Sequence, residues 1–208
     1  MPSPLILASR SPARAALLRA AGVPVEIAPA SLDEAAVKAA MAAEGAAPRD
    51  VADALAGLKA LRIGGRSPGR LVLGADQVLV CDGRIHDKPS SLEAAAEQLR
   101  ALRGRSHELL SAAVVCEGAQ PVWRHIGRAQ LAMRPFSDAF LARYVEDEGD
   151  SLLDTVGGHL GVELDVCQRC LQLVAHGVDE LALHLVKLAQ LLDLARQRQV
   201  TAEEQVSL

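Results

Sequence analysis

An apolar run over residues 5–8 leads directly into Ser9, Arg10, Ser11, Pro12, Ala13 and Arg14. Serine hydroxyls and an arginine fork at a helix start suit the oxygens of an anion, because free N–H groups and the positive end of the dipole point the same way. The plainer alternative is a Ser11 cap on a helix whose Arg14 lies in solvent. Further on, Gly74-Ala75-Asp76-Gln77 places a carboxylate inside an otherwise apolar strand. An unpaired charge there is expensive, so Asp76 should have a cation, a metal or a proton-transfer task, unless it pairs with a structural arginine or a helix end. Asp87-Lys88-Pro89 follows a hairpin signal, and Lys59 lies earlier on a helix. Both lysines could act as point charges toward a phosphate chain, although each alone reads as a solvated surface lysine.

These side chains need elements to hold them. Ser11 as cap, Pro12 in the first turn and Gly22 as stop predict a helix to about residue 21, following a strand over 5–8. A short strand over 23–27 comes next, then a helix capped by Ser31 with Asp33 and Glu34 in its first turn, and another over 51–62. Residues 71–80 carry the strongest β signal in the chain, and Asp82-Gly83 marks a hairpin turn. A helix over 92–103 capped by Ser91, strands over 109–116 and 122–133, and a helix after Ser137 complete this part. Crossovers mixed with hairpins predict an α/β fold: a mixed sheet flanked by helices, less regular than a doubly wound parallel one. Beyond Gly158 the strand and turn signals fade, and 178–199 reads as one long Leu-rich helix.

The chain has 208 residues, half of them hydrophobic, which is ample for a core. Its aromatics are one Trp, one Tyr and two Phe, so stacking platforms for single-stranded nucleic acid are not expected. A net charge of −4 offers no general attraction to nucleic acid or an anionic membrane. The N-terminal apolar run is far too short for a signal sequence or a membrane span, so a cytoplasmic location is expected. Cys81, Cys116, Cys167 and Cys170 are too few and too unevenly spaced for a disulfide framework, and reduced thiols are expected.

In order and spacing, Leu5-Ile6-Leu7-Ala8-Ser9-Arg10-Ser11-Pro12-Ala13-Arg14, Lys59-Ala60, Gly74-Ala75-Asp76 and Lys88-Pro89 resemble the Maf (septum-formation) family. Gly104-Arg105-Ser106-His107 and the segment from Phe136 to Tyr144 extend the match, giving a Maf-like core over 1–158 and a divergent segment over 159–208 packed on the same domain. The resemblance implies a fold similar to the inosine-triphosphate pyrophosphatases, two-lobed with a central cleft, often in a homodimer. It also implies hydrolysis of a nucleoside triphosphate to the monophosphate and pyrophosphate with a divalent cation, Mg or Mn. By position, Asp76 resembles the catalytic proton acceptor, while Ser9, Arg14, Lys59 and Lys88 resemble the substrate-binding set. Asp76 and Glu34 fall where the family has its metal-side carboxylates.

Two positions bear on specificity. Ala13 replaces the first arginine of a Ser-Pro-Arg-Arg sequence, and Gln77 replaces the threonine of the dTTP/UTP branch, resembling instead the branch associated with 7-methyl-GTP. After Asp154-Thr155-Val156-Gly157-Gly158 the family pattern stops, with His159 in place of its tyrosine. A divergent ending, a replaced segment and a reading-frame change all remain open. Cys167 and Cys170, near His159, His176 and His184, lack the second ligand pair of a zinc site. His125 is expected to face solvent. From a different class, the rival to an enzyme is a nucleotide-binding regulator of cell division that keeps the pocket without turnover; a weaker rival is an interaction protein acting through its C-terminal helix.

Overall fold

The computed structural model describes residues 3–149 and 151–154. Five of its strands follow the order β2-β1-β3-β5-β6, with β4 also paired to β3. Strand β1 (Leu5–Leu7) runs parallel to both β2 (Val25–Ile27) and β3 (Leu71–Cys81). Strands β4 (Arg84–His86), β5 (Ser106–Glu117) and β6 (Gln120–Ala132) add antiparallel pairs. The sheet is therefore mixed, as the alternation of crossovers and hairpins requires.

Strand β5 covers one edge of β3 from Leu71 to Val80. On the other edge β1 pairs with Val72 and Leu73, while β4 pairs with residues 79–81. Residues 74–78 lie in the fork between these two partners, and no strand fills it among the described residues. The Asp82-Gly83 turn closes the β3–β4 hairpin with both residues at positive φ (49° and 75°), the geometry a two-residue hairpin demands.

Helix α1 (Pro12–Ala20) is capped by Ser11, whose hydroxyl accepts the Arg14 N–H. Helix α2 (Glu34–Ala43) departs from the sequence expectation, because Asp33 rather than Ser31 is its cap, accepting the Ala36 N–H at 3.0 Å. Helix α3 (Pro48–Gly64) begins three residues before the expected start, since proline at its first position needs no N–H partner. Helices α4 (Leu92–Leu102) and α5 (Asp138–Glu148) take Ser91 and Ser137 as caps, and a short α6 (Ser151–Asp154) follows.

Side chains alternate across β3, so its two faces meet different layers. On one face Ala52, Ala56 and Ala60 of α3 pack on Val78, Val80, Leu110, Ala112 and Val114. Gly74 lets this helix come very close: a Cβ there would lie 2.1 Å from the Ala56 carbonyl oxygen and 2.6 Å from the Ala60 nitrogen. The opposite face holds two separate clusters. Leu5, Leu7, Leu18 and Leu73 pack near α1, and Leu79, Cys81, Leu102 and Leu109 pack near α4. Gln77 lies between them along β3, donating to the Ser111 hydroxyl at 2.8 Å.

Cys81 and Cys116 are buried free thiols. Among the described residues no helix is long and apolar enough to cross a membrane. His159, Cys167, Cys170, His176, His184, the expected helix over 178–199 and the whole 159–208 segment lie outside the described residues.

Candidate active site

The carboxylate of Asp76 faces α3 from the fork, and its burial is nearly complete at 6% exposure. Lys59 is equally covered, at 7%, and places Nζ 2.6 Å from Asp76 Oδ1 and 2.8 Å from Glu34 Oε1. One ammonium thus joins a strand carboxylate to a carboxylate in the first turn of α2. Lys59 can reach this far inward because it adjoins Ala60, where α3 lies against Gly74. The solvated-lysine alternative is excluded by this burial.

Arg14 enters from the other side of the fork. Its Nη1 donates to the Ser9 hydroxyl at 3.1 Å and to the Ala75 carbonyl at 3.0 Å, and the Ser11 N–H also donates to Ser9 Oγ, at 3.2 Å. The Ala75 carbonyl belongs to the part of β3 that lacks a strand on this edge, so the guanidinium supplies the donor that a neighbouring strand would have supplied. The solvent-exposed Arg14 of the plainer reading is likewise excluded. Sequence patterning had no means of finding the Ala75 carbonyl, since its contribution comes from the backbone and not from residue type.

Burial disfavours charge on both key groups. It pushes the Asp76 carboxyl above its ordinary pKa, against the pull of the Lys59 ammonium and its hydrogen bond; Glu34 pushes the same way as burial and Arg14 opposes it. Burial lowers the Arg14 pKa, while Asp76 and Glu34 act to raise it. A carboxyl whose folded pKa is raised contributes stability that is fully present below the unfolded value and is lost as pH climbs through the folded one. In chelator-treated protein, the stability of Asp76→Asn relative to wild type should therefore grow as pH rises above the ordinary carboxyl range, as read by urea melts. A falling relative stability would mean that the attraction of Lys59 outweighs burial.

The remaining sequence candidates lie apart from this cluster. Lys88 is exposed after β4 and makes none of the contacts that join Ser9, Arg14, Glu34, Lys59 and Asp76. Ala13 is exposed on α1, and Gln77 points to the face of β3 opposite Asp76. His107 is buried, and burial lowers its pKa. His125 is half-buried with its ring stacked on Trp123 at 5.9 Å, which corrects the expectation that it faces solvent. A cavity of about 490 Å³ opens at the start of α3, lined by Pro48, Arg49, Val80, Glu108 and Arg128 among others, and no member of the cluster lines it.

No group of three or more His, Cys, Asp or Glu side chains suited to a metal ion occurs among the described residues. Two carboxylates, Asp76 and Glu34, do meet at the Lys59 ammonium. That fits a hard divalent ion of the Mg²⁺ type, which commonly takes one or two carboxylates and completes its shell with phosphate oxygens and water.

Residues 4–164 match the protein-family model described as Maf-like protein. A nucleoside triphosphate pyrophosphatase of Ruegeria pomeroyi is 51% identical over 159 residues, covering 76% of this chain and 80% of that protein. One of the same name from Caulobacter vibrioides is 48% identical over 155 residues, covering 74% and 77%. Among solved structures, a nucleoside-triphosphatase/dITP/XTP pyrophosphatase of Mycobacterium abscessus aligns at TM-score 0.37 and 21% identity, covering 62% of this chain and 74% of that one.

Proposed function

The chain belongs to the Maf-like protein family and so is an enzyme of the nucleoside triphosphate pyrophosphatase kind; from that premise we propose that Asp76 is its proton acceptor. The observation that carries this reading is the buried Asp76–Lys59 pair at the fork of β3, with the half-exposed Glu34 as the second partner of the same ammonium. In the proposed reaction a water oxygen attacks the α-phosphorus, the bond from that phosphorus to the pyrophosphate oxygen breaks, and the water's proton passes to Asp76. Ser9, Arg14, Lys59 and Lys88 bind the triphosphate and offset the charge that gathers on departing pyrophosphate. Arg14 is held in place for this role before any substrate arrives, through Ser9 and the Ala75 carbonyl.

Asp76 and Glu34 would hold the Mg²⁺ or Mn²⁺ ion, which when bound would supply Lewis-acid polarisation of the phosphate oxygens. For the base, the resemblance of Asp76-Gln77 to the branch associated with 7-methyl-GTP favours a purine or a modified base over dTTP or UTP. Pyrophosphate and monophosphate should be measured from ATP, GTP, CTP, UTP, dTTP, ITP and 7-methyl-GTP with each metal. Turnover of at least one supports the reading. Tight binding without product across the whole panel would favour a nucleotide-binding regulator instead.

A further inference from the structure

Asp87 joins two helices to the segment that carries Lys88. Lys38 of α2 donates to Asp87 Oδ1 at 2.6 Å, and Gln98 of α4 donates to the Asp87 carbonyl at 3.1 Å. Lys38 lies four residues after Glu34, so one face of α2 holds both. At one end of that face Glu34 meets the Lys59 ammonium beside Asp76, and one turn later Lys38 meets the residue before Lys88.

Stability does not account for the Lys38–Asp87 pair. The Asp87 carboxylate is 67% exposed while the Lys38 side chain is 24% exposed, and a pair whose carboxylate stays in water contributes little to folding. Helix α2 buries no residue, so its placement depends heavily on such polar ties. Lys88 has a long, freely rotating stem, and the position of its backbone decides where its charge can be delivered.

We propose that Lys38 is a positioning residue for the triphosphate: acting through Asp87, it aligns the Lys88 segment with the Asp76 centre that the same helix face engages through Glu34. The inference rests on the proposed role of Lys88 as a phosphate contact. It assigns work to a residue outside the Ser9, Arg14, Glu34, Lys59 and Asp76 cluster.

The test uses the full-length chain and the best-hydrolysed triphosphate of the panel above. Lys38→Met and Asp87→Asn should each raise KM roughly five- to tenfold while kcat stays within about twofold. Because both changes cut one tie, the double variant should be no worse than either single one. Lys38→Arg should restore KM, and thermal midpoints should stay at the wild-type value throughout. An unchanged KM in Lys38→Met alongside a raised KM in Lys88→Ala overturns the positioning role and leaves the Lys88 assignment standing. An unchanged KM in Lys88→Ala overturns both. A fall in thermal midpoint that accounts for the lost activity makes Lys38 merely structural, and wild-type protein that turns over no triphosphate removes the proposed function together with this inference.

Discussion

Asp76→Asn protein should fold like wild type and release pyrophosphate roughly 10²- to 10⁴-fold more slowly, the range usual for loss of a positioned acid–base group. The two halves of this expectation have separate physical grounds. Removing one member of a buried ion pair is normally destabilising because the other charge is stranded. Here Lys59 keeps Glu34 as a partner at 2.8 Å, so its ammonium is not abandoned. Burial already disfavours the charged form of Asp76, so a neutral amide of the same shape relieves a cost instead of creating one. Catalysis has no such reserve, since an amide cannot accept the water's proton. Circular dichroism melts and pyrophosphate release on the same samples would decide the matter. Near-native turnover would remove Asp76 from the reaction, and a collapsed thermal midpoint would show that the pair holds the fold together.

A second large effect is expected from a single methyl group. Gly74→Ala would put a Cβ 2.1 Å from the Ala56 carbonyl oxygen, 2.6 Å from the Ala60 nitrogen and 2.9 Å from the Ala60 Cβ. The nearest of these atoms are helix backbone, which cannot swing aside as the end of a side chain can. Helix α3 is also locked by Ala52, Ala56 and Ala60 against the β3 and β5 core, so it must lift as a body. Lifting it withdraws Lys59 from Asp76. Destabilisation above about 4 kcal/mol is expected, placing the variant among exceptional single substitutions, with activity lost even in the fraction that folds. Gly127→Ala on β6 is the matched control, because its Cβ would find nothing nearer than 3.9 Å and should change the urea midpoint little. Equal midpoints for the two variants would show that α3 does not approach β3 this closely.

The difference between these glycines marks a limit of the sequence. Gly74 and Gly127 both interrupt strands, and nothing in their immediate neighbours says which one lies beneath a helix. The same limit applied to Lys59 and Arg14. Both could be read as solvated cations, yet Lys59 is buried under α3 against β3, and Arg14 is half-buried and tied to the Ala75 carbonyl. Lys38 and Gln98 carried no local signal, and Asp87 stood out only as the neighbour of Lys88, since the meeting of the three depends on how α2 and α4 flank one segment. Ser31 and Asp33 were both acceptable caps by type, and the actual path of the chain into α2 selected the second.

What the amino-acid sequence determined by itself was local or ordered along the chain. Caps at Ser11, Ser91 and Ser137, the Asp82-Gly83 turn, the long β3 run and the mixed sheet followed from short-range backbone chemistry, which needs only near neighbours. The ordered motifs around Ser9, Lys59, Asp76 and Lys88 pointed to the family for the same reason: they are a linear pattern. Tertiary structure alone decided which charges meet. Glu34, Lys59 and Asp76 are far apart in sequence, and their contact exists because α3 lies on Gly74 while α2 turns its Glu34 face inward. Burial of that contact then sets the charge balance of the site, since desolvation depends on the packing of the whole fold.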